Sequence, residues 1–311
     1  MPRLRNNWRF ITAVVAISVP LMFLVGCTKI AATEPESPQV IRDISYVPGS
    51  NNPFQQLDLY LPPKAQAPCP VIIWIHGGAW IAGDKNHPPL LPLSQGYAIA
   101  SLNYRLAQHC PHPAQINDCK AAVRWLKQNA LKYNLDGERI GVWGHSAGGH
   151  LTALLSTTGD VNVVDGDKSE TSAKQQSAVQ AACDWAGPTN LDSIAWQQSA
   201  SPGLDFKDPA GPLAIFLGGK AAAKCAYASP VDYVSKDDAP LLIVHGAQDN
   251  IVPAAQSQEL YKKMKQAGLQ VECLILPDED HGVGSRTAVQ HTLAFFNKYL
   301  KQKPAYQPQP K

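Results

Sequence analysis

Charge is scarce in this chain, and what there is nearly balances. Acidic residues number 25 against 27 Lys and Arg, and charged residues fill only 17% of 311 positions. A net charge of +2 gives no basic field of the kind that binds nucleic acid, so nucleic acid is not expected as a partner. The chain has no long like-charge block and no internal repeat, which excludes charged interaction tails and solenoids. It has no Cys-x-x-Cys pair, so no zinc site is expected. Gly77-Gly78 lacks the Lys and Ser/Thr of a phosphate-cradling loop, and no cofactor is expected.

Long apolar runs are also few. The first, Ile11 through Val25, is broken by Pro20 and is short for a membrane span. It follows Arg3, Arg5 and Arg9 and ends in Leu24-Val25-Gly26-Cys27, the layout of an export signal over residues 1–26. Its end resembles the bacterial lipobox. The resemblance implies acylation of Cys27 and a lipid anchor in the bacterial cell envelope, at the outer membrane because Thr28 follows in place of an aspartate. Residues 27–39 read as a flexible tether and 301–311 as a disordered tail, leaving 40–300 for a folded domain. Six further cysteines allow fifteen disulfide pairings, and none is assigned. Cys119, Cys183 and Cys273 sit on apolar faces, whereas Cys69, Cys110 and Cys225 fall in loop-like stretches.

Within the domain, Val40 to Val47 and Gln56 to Leu61 alternate apolar with polar residues around a Pro/Gly/Asn turn, which predicts an edge hairpin. Val71 to Ile75, Ala98 to Asn103, Arg139 to Trp143, Val179 to Trp185, Leu241 to Gly246 and Val271 to Leu276 are short apolar runs suited to doubly buried strands. Helical spacing appears from Ala114 to Asn129, from Ala254 to Ala267 and from Ala288 to Leu300. Residues 157–177 read as an exposed loop, and 187–226 as a small lid with short helical hints. Strands alternating with helices predict an α/β fold with a mostly parallel sheet. In such sheets functional groups gather beyond the carboxyl ends of the strands.

The chemistry centres on Gly144-His145-Ser146-Ala147-Gly148, between an apolar run and a small-residue helix. This is the pattern of a nucleophile held on a sharp strand-to-helix turn, where a Cβ on either glycine would crowd the backbone. A serine needs a base. Of nine histidines, His281 follows the last strand and is the chosen base; His145 and His150 flank the serine and are expected to point elsewhere. An orienting carboxylate is expected at Asp249, with Asp184 as runner-up. Asp278 and Asp280 are read as loop residues that tune the histidine. Backbone donors for an oxyanion are expected from Gly78 or Ala79 together with Ala147. Trp80, Tyr104 and Trp185 are expected around the substrate pocket.

His76-Gly77-Gly78-Ala79-Trp80, Asn103-Tyr104-Arg105, the Ser146 motif, Ala228-Ser229-Pro230, His245-Gly246-x-x-Asp249-x-x-Val252-Pro253 and His281-Gly282 together resemble the α/β-hydrolase esterases. The branch most similar holds hormone-sensitive-lipase-type carboxylesterases and bacterial feruloyl and acetyl-xylan esterases. The resemblance runs from about Ile41 to Leu300 and implies a serine hydrolase acting on small-molecule or polysaccharide-linked esters. Ala79 departs from the usual third glycine, which narrows the space for a bulky tertiary alcohol. An arylformamidase uses the same triad, and a non-catalytic surface-binding protein on the same fold is the reading of a different class.

Overall fold

The computed structural model describes residues 37–63, 68–159, 177–197, 204–219, 225 and 227–301. The export signal, Cys27, most of 157–177, part of the 187–226 insertion and the tail after 301 lie outside the described residues. Strands β1 (Gln39–Ser45) and β2 (Gln56–Leu61) form the expected antiparallel edge hairpin. They are followed by β3 (Cys69–Ile75), β4 (Ala98–Leu102), β5 (Leu135–His145), β6 (Ala181–Trp185), β7 (Leu241–Gly246) and β8 (Val271–Leu276). All eight join one sheet in the order β1-β2-β4-β3-β5-β6-β7-β8. Strands β3 to β8 run parallel, and β2 pairs antiparallel with β4. This is the α/β-hydrolase fold.

Continuous apolar strands need cover on both faces, and both are covered. Ile73, Ile75 and Val142 pack with α1 (Ala114–Asn129), α2 (Ala147–Thr157) and α5 (Ala254–Gln266) through Ile116, Val123, Leu151, Leu154 and Leu260. Ile72, Trp143 and Leu242 face the other way, onto Phe295 and Phe296 of α6 (Arg286–Phe296). Each such burial contributes about 1.5–3 kcal/mol before entropy is counted. The described part of the insertion carries two short helices, α3 (Ile194–Gln197) and α4 (Pro212–Phe216).

Two boundaries differ from the sequence reading for identifiable reasons. Cys69 is not in a loop: it opens β3 opposite Leu135, and a register shift between Cys69 and Val71 lets β5 begin four residues before Arg139. Its thiol is buried, and burial pushes it up from the ordinary cysteine range. The last helix starts earlier, at Arg286, because the Ser285 hydroxyl caps it by accepting from the Ala288 amide at 3.2 Å. None of the six cysteines of the described residues is in a disulfide.

Candidate active site

Four loops converge at the carboxyl ends of parallel strands, and each begins where an apolar run stops. Ser146 sits between β5 and α2, with φ 58° and ψ −122°. This conformation is costly for a residue with a Cβ, on the order of 1–3 kcal/mol. The surroundings enforce it. The Ser146 amide donates to the Trp185 carbonyl at 2.8 Å, and its own carbonyl accepts from the His150 amide at 2.9 Å. A Cβ on Gly144 would meet the Gly148 carbonyl oxygen at 2.2 Å. One on Gly148 would meet the Ile75 carbonyl oxygen at 2.1 Å. Both glycines are therefore dictated by backbone approach.

The loop after β8 brings His281 to this serine. Its Nε2 lies 2.9 Å from Ser146 Oγ, and its Nδ1 lies 2.7 Å from Asp249 Oδ2. The side chain of Asp249, in the loop after β7, is fully buried, and its Oδ1 accepts the amides of Ile251 at 2.8 Å and Val252 at 2.9 Å. Burial pushes this carboxyl up. Hydrogen bonding from His245 and His281, with the Ile251 amide, overrides it and holds the group well below the usual carboxylate range. Asp249 is therefore ionised at neutral pH. With Asp249 accepting at Nδ1–H, His281 presents a bare Nε2 to the hydroxyl, the tautomer a general base requires.

The fourth loop follows β3. Gly78, Ala79 and Trp80 take φ values of 114°, 51° and 62° in succession. The turn is closed by the Ile81 and Ala82 amides, which donate to the Gly78 carbonyl at 3.1 and 3.0 Å. Among the described residues, the amides of Gly78, Ala79 and Ala147 have no acceptor. Open backbone donors beside a serine are what a developing oxyanion requires. Among the described residues no three His, Cys, Asp or Glu side chains come together as metal ligands.

Asp184 is not joined to His281. It ends β6 fully buried, with Oδ1 accepting the Gly187 amide at 2.9 Å and Oδ2 lacking a partner among the described residues. Burial drives it up to about 7, opposed by His245 and the Gly187 amide. An unfolded aspartate titrates near 3.9, so between about pH 4 and 7 the unfolded chain ionises while the folded chain stays protonated. Stability therefore falls as pH rises across that window. Asp184→Asn, which mimics the protonated acid, is expected to be more stable than wild type above pH 7, by up to about 4 kcal/mol, with the gap closing toward pH 4. Denaturant midpoints at pH 4, 6 and 8 check this; a gap that widens toward acid would refute it. Asp278 and Asp280 do not reach the imidazole ring in any hydrogen bond: Asp280 accepts the Gly282 amide at 2.8 Å and shapes the turn.

The three aromatic residues expected around a pocket belong to the core. Trp80 is 1% exposed, stacked on Phe216 of α4 at 4.4 Å, with its indole N–H donating to His150 Nδ1 at 3.1 Å. Tyr104 is 0% exposed, stacked on His76, and its hydroxyl donates to the His76 carbonyl at 3.1 Å. Trp185 packs on Trp143 and donates to Thr292 Oγ1 at 3.0 Å. Each has found an internal partner for its polar atom, which removes the reason to stay at a wet surface. Of the two histidines expected to point elsewhere, His145 reaches the site, whereas His150 turns into the core. His145 Nε2 donates to the His281 backbone carbonyl at 2.7 Å, and burial holds the His145 ring below its ordinary value. His150 donates from Nε2 to the Ala228 carbonyl at 2.7 Å while accepting from Trp80, so it is the neutral tautomer; burial lowers it to about 3. The position of His145 directly before Ser146 was the available signal.

Comparison with known proteins accords with this geometry. The family model described as BD-FAE matches residues 57–264. Esterase LipC of Mycobacterium tuberculosis (strain ATCC 25618 / H37Rv) is 29% identical over 275 residues, covering 79% of this chain and 62% of the relative. Esterase LipQ of the same organism is 31% identical over 249 residues, covering 77% and 56%. The chain thus spans about three-fifths of the length of these curated relatives. Among solved structures, a truncated form of a carbohydrate esterase from gut microbiota superposes with a TM-score of 0.74 at 30% identity, covering 86% of this chain and 98% of that one. With two thirds of its length matched by the model and its strands in the order of the α/β-hydrolase fold, the chain belongs to the BD-FAE family.

Proposed function

We propose that this chain hydrolyses carboxylic esters, with Ser146 as nucleophile, His281 as general base and acid, and Asp249 as the carboxylate that orients it. The observation that carries this reading is the continuous path Asp249–His281–Ser146, at 2.7 and 2.9 Å, with open amides beside it. Ser146 Oγ adds to the ester carbonyl carbon as its proton passes to His281 Nε2, and the carbonyl oxygen becomes an anion facing the Gly78, Ala79 and Ala147 amides. The carbon–oxygen bond to the alcohol then breaks, and His281 returns the proton to the departing oxygen. Water repeats the sequence on the acyl-serine, releasing the acid and restoring the hydroxyl. Each oxyanion donor lowers the barrier by on the order of 3 kcal/mol.

The substrates proposed are small or carbohydrate-linked esters, a reading supported by the names of the similar esterases and of the carbohydrate esterase. A fluorophosphonate probe should label Ser146 in folded protein. A panel of p-nitrophenyl acyl esters, methyl ferulate, acetylated xylan and N-formylkynurenine then assigns the acyl group. Absence of labelling together with absence of turnover across the panel would overturn the proposal. We also propose lipid attachment at Cys27, supported by the sequence Leu24-Val25-Gly26-Cys27. Among the described residues no helix is long and apolar enough to cross a membrane. Cys27→Ser is expected to move the protein from the membrane fraction to the soluble one; unchanged fractionation refutes the anchor.

A further inference from the structure

The Asp249 carboxylate is approached by two imidazoles, only one of which the proposed reaction uses. His245, near the end of β7, is 0% exposed. Its Nε2 lies 2.9 Å from the Val252 carbonyl oxygen and 3.0 Å from Asp249 Oδ2, the oxygen that His281 also uses. Both neighbours can only accept, so Nε2 carries the hydrogen. Nδ1 lies 2.6 Å from the buried Ser257 hydroxyl on α5, which can serve as either donor or acceptor to it. Every polar atom of the ring is thus used, and its orientation is fixed from both sides. The Val252 carbonyl it holds belongs to the same turn whose amides clamp Asp249 Oδ1.

From this geometry we infer that His245 is a positioning residue for the reaction: it pins the 249–252 turn and places an N–H edge on Asp249 Oδ2, drawing charge from the oxygen that pairs with His281. The inference rests on the triad reading above. Titratable groups facing the pair are Asp184 at the end of β6, on the His245 side, and His145 at the end of β5, against His281. Neither donates to Asp249 Oδ2. Removing the N–H edge leaves more negative charge for the protonated His281 ring and stabilises it. The acidic limb of kcat/KM, which reports the free-enzyme base, should then move to higher pH.

His245→Phe is expected to lower kcat on the order of tenfold, a loss typical of outer partners that orient a reacting group, with KM little changed. Its acidic limb should rise by at least about half a pH unit. His245→Gln, which retains an N–H donor at a similar reach, should return the limb to the wild-type position. Ser257→Ala, which releases Nδ1, should shift the limb in the same direction as Phe by a smaller amount. A folded Phe variant whose limb is unmoved or moves down overturns the inference, as does a Gln variant identical to Phe. If the Phe variant fails to fold, Gln and Ser257→Ala decide: a Ser257→Ala limb equal to wild type overturns it. Probe labelling of Ser146 in wild type separates the cases. A labelled serine with an unmoved limb rejects only the role of His245, whereas an unlabelled serine rejects the triad itself.

Discussion

Ser146→Ala is expected to lower ester turnover by roughly four to six orders of magnitude while leaving the protein folded, because a nucleophile acts as a unit with its base. The stability side of this substitution is equally specific. Ser146 is held at φ 58° and ψ −122° by the Trp185 carbonyl and the first turn of α2. Alanine keeps the Cβ and therefore the strain; glycine does not. Ser146→Gly should be as inactive as Ser146→Ala yet more stable by about 1 kcal/mol, a rise of about 2–4 °C in Tm for a domain of this size. Both variants should lose labelling by a fluorophosphonate. Turnover within tenfold of wild type in either one would remove Ser146 from the mechanism.

Asp249→Asn should follow, with a loss of about three to four orders of magnitude in kcat. The amide offers one acceptor oxygen and one donor nitrogen where the carboxylate offers two acceptors. The oxygen is drawn to the Ile251 and Val252 amides that now hold Oδ1, which turns the amide nitrogen toward His281. The imidazole then protonates at Nε2 and can no longer accept the serine proton. Stability should change with a definite sign. The carboxyl is held below its unfolded range, so its contribution is present above about pH 4 and is lost only as pH falls further, toward the folded value. The asparagine variant should therefore differ most from wild type at neutral pH and least in acid. The sign is opposite to that expected for Asp184→Asn, which gains stability at neutral pH where Asp249→Asn loses it, and whose activity should remain within a few-fold of wild type. If Asp184→Asn proves the more damaging to kcat, the orienting carboxylate has been misassigned.

Both carboxylates end or follow strands and both precede glycine- or proline-containing loops, so the sequence alone left Asp184 in contention. Their polar partners separate them: Asp249 is met by two amides and two imidazoles, whereas Asp184 has a single amide. The strands were legible because doubly covered strands must be continuous apolar runs, and β7 and β8 match those runs to the residue. Trp80, Tyr104 and Trp185 were read as pocket walls because each stands at or just beyond the carboxyl end of a strand. Their actual partners, Phe216, His76 and Thr292, lie from 28 to 136 positions away, beyond the reach of local pattern. His145 was underrated for the same reason. A histidine's role is set by what faces each ring nitrogen, and those partners come from other strands and loops.

The close approach of Gly148 to the Ile75 and His76 carbonyls has a consequence for how the site moves. The first turn of α2 rests directly against the end of β3, the point from which the Gly78–Trp80 turn departs. The proposed nucleophile and amide donors therefore share one mechanical stop instead of hanging from two independent hinges. A fluctuation that lifts one carries the other with it, so their separation varies less than the position of either. The reacting geometry is set during folding, and little reorganisation is left for the moment the substrate arrives.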